Sequence, residues 1–576
     1  MKSLKAITGI LALAVSAALV PGASAQTLQV LTAGSSAQFG PFAVAAYALA
    51  SAGGAKAYHY TVKSGACPGS TCYAYLNDSR TVTVSGTVHT IAPEPGNLWV
   101  AWSTNGIWAY LSVDSTVGVR SFSAVPRAKL TLAALTSLPV SATTNYTYWA
   151  DGTDDTALTT TVYDAINAHA LTAANTDIRP EDALFATNRS LNTLGYGLVA
   201  DPRTGHSGQY LIGNPIESHF STSVAHPVSF AIAGGADPFS GTVGPTEITL
   251  PIGAAPIVFV ASTASGSTVA KASDITTANA ASLFSGKGDC VDTLVTGATG
   301  TIDAVLREPL SGTMNTTEYT VFVPGGESQE TGITKPTPGT NQNPLALPCG
   351  SGFRYRAIGT GDEVNNVIAT PNTLGYAFYS YESVAGGKTD RYLEYNGYDP
   401  IYPATHTYAG TLPTCPVVNN QYYCPLTPTT GLSFPNLRDG KYTAWSIYRL
   451  ITDSTGETNA QKLVTEAQNL VDTNIPDFVP FIPVCATSAS GLNDPGLDVY
   501  REHFVPSTIE TIPDTITITP NDGSLGSTVT CRVIKATLPA LTLGGGTEAG
   551  GDVGGIIQGP FTKSPTYPGP TEGQPH

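Results

Sequence analysis

Short apolar strands alternate with helical segments through most of this chain, and this alternation constrains the fold more than any other feature. Residues 28–31 predict a strand, residues 39–50 an apolar helix, and residues 256–262 a buried β-branched strand. Further strands are predicted at 302–306, 374–381 and 444–451, and further helices at 155–173, 273–284 and 459–472. Strands that alternate with helices predict an α/β fold.

Two segments and the C-terminal region interrupt this pattern. Alternating Tyr and Val residues predict a β-hairpin insertion over 57–100, and Gly, Ser and Pro punctuate a second, extended insertion over 190–250. Residues 501–543 are expected to form a C-terminal extension. Residues 544–576 are rich in Gly and Pro and are expected to be a disordered tail. No repeat of 20–50 residues is visible, which argues against solenoids and propellers.

The N-terminus has the pattern of a cleaved signal peptide over residues 1–25. Lys2 and Lys5 precede an apolar run over 7–20, and small residues occupy 23–25 (ASA). Cleavage before Gln26 changes the formal net charge from −16 to −18. We therefore expect a periplasmic or secreted protein with no transmembrane segment and no lipid-anchored cysteine. Its acidic charge excludes a general nucleic-acid binder.

The eight cysteines indicate disulfides rather than a metal site. An even number of cysteines in an exported chain predicts disulfide bonds, although eight cysteines allow 105 pairings. Proximity in the sequence favours the pairs Cys67–Cys72, Cys290–Cys349, Cys415–Cys424 and Cys485–Cys531. No CxxC pair with a nearby His is present, so no metal site is predicted.

The segment 307–313 (REPLSGT) carries the clearest chemistry in the chain. Arg307 provides a planar set of donors, Ser311 and Thr313 provide hydroxyls, and Gly312 lets backbone N–H groups approach a ligand. These groups suit a tetrahedral oxyanion, and the strand before them places the loop at a sheet edge. The alternative for the Ser-Gly-Thr turn alone is a simple helix cap.

Four loops, taken in order, resemble the phosphate-binding proteins of bacterial ABC transporters. Residues 33–39 (AGSSAQF) are similar to that family's TGAGATFP element, and residues 112–118 (SVDSTVG) to its GSSGG loop. Residues 175–180 (NTDIRP) are similar to its SDAP element, and residues 307–313 to its RxDGSGT element. Segments 274–286, 370–381 and 442–451 resemble other parts of the family in the same order, so the resemblance covers much of residues 27–475.

The resemblance implies a two-lobe periplasmic-binding-protein type 2 fold with β-rich insertions, in which the chain crosses the hinge twice. Lobe I would comprise residues 26–255 and 442–500, and lobe II residues 256–441. The two crossings would lie near 252–258 and 440–446. Closure of the lobes around a ligand would be the functional motion.

The resemblance also implies a ligand site for inorganic phosphate or a similar oxyanion in the cleft. The implied site residues are Gly34, Ser35, Ser36, Gln38, Phe39, Ser115, Thr116, Asp177, Arg307, Ser311, Gly312 and Thr313. Gln38 replaces a Thr of the family, so its amide or a neighbouring Ser hydroxyl would serve as donor. Asp177 can only accept hydrogen bonds, so it would take a proton of bound phosphate, which sulfate lacks.

Two alternative functions are also compatible with the sequence. A surface or structural protein that retains the fold without binding phosphate is the main alternative, and an exported enzyme of phosphorus metabolism is a weaker one. No GxSxG, Walker or Rossmann motif is present, and no cofactor is predicted. His206, His219, His226 and Glu217 lack a metal-ligand spacing. An ABC permease is the partner that the resemblance implies.

Overall fold

A central mixed sheet with helices packed on it forms the framework of the protein, which confirms the predicted α/β class. The structure is a computed structural model that describes residues 26–60, 73–77, 81–84, 87–90, 94–140, 156–178, 210–211, 247–307, 311–322, 325–327, 348–350, 352, 354–357, 359–384, 390–402, 406–411, 417–418, 421–422, 434–438, 441–473, 477–480, 499–505, 515–518, 529–537, 541–542 and 549–558. None of the helices in these ranges is long and apolar enough to cross a membrane.

The strands are β1 Leu28–Gly34, β2 Lys56–Tyr60, β3 Ala74–Asn77, β4 Thr81–Val84, β5 Thr87–Thr90, β6 Glu94–Pro95, β7 Asn97–Ser103, β8 Gly106–Ser112, β9 Lys129–Leu132, β10 Ala173–Thr176, β11 Tyr210–Leu211, β12 Glu247–Ala261, β13 Asp274–Ile275, β14 Asp303–Arg307, β15 Arg354–Ala357, β16 Thr373–Phe378, β17 Arg391–Tyr392, β18 Glu394–Tyr395, β19 Val417–Val418, β20 Gln421–Tyr422, β21 Trp445–Asp453, β22 Val479–Pro480, β23 Val499–Val505, β24 Thr515–Ile518, β25 Val529–Thr537, β26 Leu541–Thr542 and β27 Ala549–Gln558. The α-helices are α1 Phe39–Ser51, α2 Ser115–Phe122, α3 Thr160–Ile166, α4 Thr277–Phe284, α5 Gly312–Thr317, α6 Thr360–Ala369, α7 Tyr381–Val384, α8 Pro435–Arg438 and α9 Glu457–Thr473.

The long strand β12 divides the central sheet into two half-sheets. Its residues 247–256 pair with β21, which continues through β10, β1, β8 and β7 to β2; we call this the first half-sheet. Its residues 257–261 pair with β16, which continues through β14 and β15 to β11; we call this the second half-sheet. The predicted crossings near 252–258 and 440–446 fall in β12 and just before β21. The lobe boundaries and the hinge stay predictions.

Each half-sheet contains three parallel strands. In the first, β1 lies between β8 and β10 and runs parallel to both. In the second, β14 lies between β15 and β16 and runs parallel to both. Because parallel strands end at the same edge, the loops that follow these six strands are gathered at two sheet edges, where α/β proteins bind their ligands.

Helix α1 is buried between other elements because apolar residues occupy all of its faces. Ten of the 13 residues in FGPFAVAAYALAS are buried, and the helix packs against α9 and β7. Pro41 lies in its first turn, where the missing N–H has no intrahelical partner to lose. The helix matches the prediction for 39–50 to within one residue and anchors the loop that precedes it.

Other predicted elements differ from the structure in extent. The predicted helix over 155–173 is confined to α3, since Ala168 adopts a positive φ of 57° and the chain then enters β10. The helix predicted from 273 begins instead after β13, with Thr276 as its N-cap residue. The remaining predicted strands and helices agree to within two residues at their ends, with three exceptions. Strand β12 begins earlier than predicted, β1 continues three residues beyond its predicted end, and β16 ends three residues before its predicted end.

The predicted insertion over 57–100 is partly built into the central sheet. Strands β2 and β7 pair with each other at the outer side of the first half-sheet, whereas β4 and β5 form a separate hairpin. Of the segment 190–250, the structure describes 210–211 and 247–250, which belong to β11 and β12. Residues 549–558, within the expected disordered tail, form β27, because its backbone pairs with β23 and β25 on both sides.

One disulfide joins two described cysteines. Cys290 and Cys349 are bonded, with their Cα atoms 5.2 Å apart. Cys290 forms a β-bridge with Thr301, shortly before β14, and Cys349 lies shortly before β15, so the bond is near the starts of those strands. Cys531 lies in β25, and Cys67, Cys72, Cys415, Cys424 and Cys485 lie outside the described residues, as does the signal-peptide segment 1–25.

Candidate oxyanion site

The turn after β1 is shaped by close contact with β10. Gly34 has a φ of +148°, and a Cβ there would collide with the carbonyl of Asn175. The N–H of Ser35 donates to the same carbonyl at 3.0 Å. This turn places the Ser35 hydroxyl 3.3 Å from the Asp177 carboxylate, to which it donates.

A hydrogen bond from the hydroxyl of Tyr110 on β8 fixes this turn. The hydroxyl donates to the Ser35 carbonyl at 2.5 Å. Burial, followed by the nearby negative charge of Asp177, raises the pKa of Tyr110 well above its usual value. Tyr110 therefore remains a neutral donor that fixes the position of the turn.

Gln38 and Phe39 do not direct their side chains at the same point as Ser35. The Gln38 amide donates to the Thr176 carbonyl at 2.8 Å and accepts from the Asn175 amide at 2.8 Å. The ring of Phe39 packs edge-on against Tyr110, with ring centres 5.5 Å apart. Both side chains hold the first loop against its neighbours, and the implied role of the two residues at the ligand stays a prediction.

The turn after β8 begins helix α2. A Cβ at Gly118, in its first turn, would collide with the Ala33 carbonyl, so glycine allows α2 to pack directly on β1. The Ser115 hydroxyl donates to the Asp177 carboxylate in a very short contact and accepts from the Asp177 N–H at 3.3 Å. The Thr116 hydroxyl is buried and has no hydrogen-bond partner among the described residues.

Asp177 follows β10 and joins the first two loops. It is 2% exposed and accepts from the hydroxyls of Ser35 and Ser115. Its main-chain carbonyl accepts from Ser446 at 2.8 Å, which ties it to β21. The carboxylate is thus fixed by neighbours on several strands.

Arg307 ends β14 and carries the positive charge of the site. Its side chain is 1% exposed. Nη2 donates to Asp114 Oδ1 at 3.3 Å, and Nη1 donates to the hydroxyls of Thr313 at 3.3 Å and Thr360 at 3.4 Å. Nε lies 3.9 Å from Glu363 Oε2. These contacts hold the guanidinium in one orientation, with Asp114 reaching it from the first half-sheet.

The segment 311–313 forms the start of helix α5. Ser311 is its N-cap residue and accepts from the Met314 N–H at 3.3 Å, as the simple capping alternative predicts. Gly312 faces the first half-sheet, since a Cβ there would collide with the carboxylate of Asp177 and the hydroxyl of Ser115. The two half-sheets are therefore in direct contact at this point.

A further loop, after β15, contributes residues that the motif pattern did not identify. Thr360 donates its N–H to the Ser36 hydroxyl at 3.3 Å, and the two hydroxyls are 3.3 Å apart. Glu363 is fully buried one turn later and accepts from the Tyr376 N–H at 2.8 Å. The spacing Thr-x-x-Glu was visible in the sequence, but it is typical of a helix cap.

These contacts join ten residues, which we call the strand-end cluster. Its members are Ser35, Ser36, Asp114, Ser115, Asp177, Arg307, Gly312, Thr313, Thr360 and Glu363. Seven of them belong to the predicted site, and Asp114, Thr360 and Glu363 are additions. The predicted residues Gly34, Gln38, Phe39 and Ser311 support its loops, and Thr116 lies beside it in α2.

The described residues contain one group with metal-ligand geometry, and it lies elsewhere. Asp289, Cys290 and Cys349 are close together, but both sulfurs are engaged in the disulfide. His206, His219, His226 and Glu217 lie outside the described residues.

Comparisons with known proteins give fold-level likeness only. No family model matches, and no match is found among curated proteins. Solved structures that are similar include a phosphate-binding protein from Stenotrophomonas maltophilia (15% identity, TM-score 0.30, 63% of this chain and 77% of that chain). Others are a human phosphate-binding apolipoprotein (14%, 0.30, 65% and 85%) and an ABC-type phosphate transport receptor from Vibrio cholerae (12%, 0.24, 40% and 71%). These TM-scores lie well below 0.5, so the strand-end cluster itself must identify what the site binds.

Proposed function

We propose that this chain is an exported solute-binding protein that captures an oxyanion, inorganic phosphate above all, at the strand-end cluster. One observation carries the proposal: Arg307, Asp177 and several hydroxyls are gathered in one cluster. The cluster lies at the ends of five parallel strands that belong to two half-sheets. Strand ends of this kind are where α/β proteins bind ligands, and a buried guanidinium is suited to a tetrahedral oxyanion.

The donors of the cluster fit such a ligand from two sides. Ser35, Ser36 and Ser115 bring hydroxyls on the first half-sheet, and Thr313 and Thr360 bring hydroxyls on the second, next to Arg307. Hydroxyls can rotate to donate toward an anion. Hydrogen bonds to a charged partner in a buried, low-dielectric site are stronger than those in water.

Asp177 gives the site its expected preference for phosphate. A carboxylate can only accept, so a ligand oxygen beside Asp177 has to carry a proton. Hydrogen phosphate ions carry one at neutral pH and sulfate does not. A site that requires a particular hydrogen bond rejects ligands that lack it.

The proposal extends to the two lobes, the hinge, the compartment and the partner of the protein. The first and second half-sheets would be the cores of two lobes, with β12 and β21 at the hinge, and closure would bring Gly312 against Asp177. The protein would act in the periplasm or outside the cell after removal of residues 1–25, and an ABC permease would receive its ligand.

A ligand-free role of the same fold is the second candidate. The observation that favours it is that Arg307 already contacts two carboxylates, Asp114 and Glu363, within the protein. Such contacts could satisfy the guanidinium without an anion. The experiment below separates the two candidates.

The test is isothermal titration and thermal unfolding of the purified protein with phosphate, and with sulfate as the comparison anion, after dialysis removes carried-over ligand. We expect phosphate alone to bind; a ligand at about 1,000 times its Kd adds about 4 kcal/mol to the unfolding free energy. Arg307→Ala should remove this stabilisation. The control is Arg127→Ala, since Arg127 pairs with Asp453 at 2.7 Å away from the cluster. Absence of binding by the wild-type protein would contradict the proposal and favour the ligand-free role.

A further inference from the structure

Asp114 occupies a helix-capping position but does not cap its helix. It is the N-cap residue of α2, where an Asp side chain ordinarily accepts from the N–H groups of the first turn. In this structure its side chain makes no capping hydrogen bond. The carboxylate instead accepts from Arg307 Nη2 at 3.3 Å. A favourable local interaction is therefore given up for a contact with a residue 193 positions away.

This contact places one carboxylate of the first half-sheet on the guanidinium of the second, and Ser115, the residue after Asp114, joins that carboxylate's loop to Asp177. Asp114 is 7% exposed, and its neighbour Ser115 donates to the carboxylate of Asp177. Both carboxylates therefore belong to one side of the cluster. Any anion held by Arg307 would lie near both of them.

The second half-sheet adds another negative charge at this guanidinium. Glu363 approaches Arg307 Nε and uses its other oxygen on the Tyr376 N–H. Two carboxylates, Asp114 and Glu363, therefore lie at the Arg307 guanidinium, so each additional negative charge on a ligand is opposed by like charges.

We propose that Asp114 is a specificity-determining residue that limits the charge of the bound oxyanion. This inference rests on the proposed function and deepens it. Asp177 demands a proton on the ligand, whereas Asp114 competes for Arg307 Nη2 and repels a second negative charge. The site would therefore take a singly charged, proton-bearing oxyanion such as dihydrogen phosphate and exclude dianions. Replacement of Asp114 by a neutral residue would admit the proton-bearing hydrogen phosphate dianion, whereas Asp177 would still reject sulfate.

The test compares the Kd of phosphate below and above the pH at which dihydrogen phosphate becomes the proton-bearing dianion, for the wild-type protein and for Asp114→Asn at one ionic strength. We expect the wild-type protein to bind phosphate more weakly at the higher pH, and Asp114→Asn to reduce the ratio of the two Kd values at least tenfold. Asp164→Asn removes the same charge from an exposed position on α3 and should leave the ratio unchanged. If Asp114→Asn does not fold, Asp114→Ser removes the charge and supplies a favoured N-cap residue for α2.

The two hypotheses fail in different ways in this experiment. A wild-type protein that does not bind phosphate at either pH overturns the proposed function, and the inference with it. A wild-type protein that binds phosphate, together with a Kd ratio that changes less than tenfold in both Asp114→Asn and Asp114→Ser, overturns the inference alone. An equal change of the ratio in the Asp164→Asn control would also overturn it, since total charge would then be the cause.

Discussion

The two half-sheets bring opposite chemistry to the same place. The first presents hydroxyls and carboxylates at the ends of β1, β8 and β10, and these groups bond mainly to one another through Asp177. The second presents Arg307 at the end of β14, and its partners come from both half-sheets. Within the cluster, the second half-sheet provides the cation, Arg307. The first provides Asp177, the carboxylate proposed to accept a hydrogen bond from a protonated ligand oxygen. The site exists only where the two meet.

The two half-sheets also differ in how they are held in shape. In the first, aromatic rings pack beneath the site, such as Trp99 and Tyr110 at 5.7 Å, and Gly118 lets α2 lie against β1. In the second, the disulfide joins the segments that precede β14 and β15. The described residues of the first half-sheet are therefore held by packing and hydrogen bonds, whereas those of the second have a covalent link as well. The following predictions separate these two contributions.

Loss of the disulfide should produce the largest change, and it should be confined to the second half-sheet. The bond closes a loop with a sequence separation of 59, so its removal in Cys290→Ser/Cys349→Ser should lower the unfolding free energy by about 4 kcal/mol in the chain-entropy description. Hydrogen exchange should become faster in β14 and β15 and stay unchanged in β1 and β8. Equal acceleration in both half-sheets would show that they unfold as one unit and would contradict the comparison.

Addition of one methyl group at Gly312 tests whether phosphate binding requires direct contact between the two half-sheets. In Gly312→Ala the new Cβ would meet the carboxylate of Asp177 and the hydroxyl of Ser115. We expect phosphate affinity to fall at least 100-fold, equivalent to about 2.7 kcal/mol, because the residues cannot approach each other as closely. Isothermal titration measures this loss.

Gly361→Ala is the matched control for that substitution. Gly361 also lies in the first turn of a helix of the second half-sheet, and a Cβ there would meet nothing within 4 Å. Alanine should stabilise α6 by about 0.5–1 kcal/mol and leave the phosphate Kd unchanged. If both variants lost affinity equally, helix flexibility rather than contact between the half-sheets would be responsible.

The sequence predicted the elements that have strong local patterns and missed those that depend on neighbours. The β-branched run in β12 and the continuous apolar pattern of α1 were sufficient to identify both. Strand β10 has the sequence Ala-Ala-Asn-Thr, with little intrinsic preference for a strand. It is a strand because β1 and β21 pair with it on either side, and a local pattern cannot show this.

The candidate site follows the same rule. The Ser-Gly-Thr loop after the predicted strand at 302–306 identified Arg307, and the resemblance of the loops at 33–39 and 112–118 identified Ser35 and Ser115, because those signals are local. The role of Asp114 could not be predicted, since an Asp before a helix ordinarily indicates a cap and its partner is distant in sequence. Glu363 was missed for the same reason, because its spacing from Thr360 also matches a local capping pattern.

Gln38 provides the smallest and most specific test of the first half-sheet. The resemblance implied that its amide serves as a ligand donor, whereas the structure joins that amide to Thr176 and Asn175. Gln38→Ala would leave these two buried groups without their partner, which should cost about 1–3 kcal/mol of unfolding free energy in chemical denaturation. The phosphate Kd should change less than threefold.

Gln29→Ala is the control, because the amide of Gln29 makes an exposed hydrogen bond to the Thr27 carbonyl. This substitution should change the unfolding free energy by less than about 0.5 kcal/mol. A tenfold weaker Kd with unchanged stability in Gln38→Ala would instead make Gln38 a ligand donor, and the first half-sheet would then contribute an amide as well as hydroxyls to the anion.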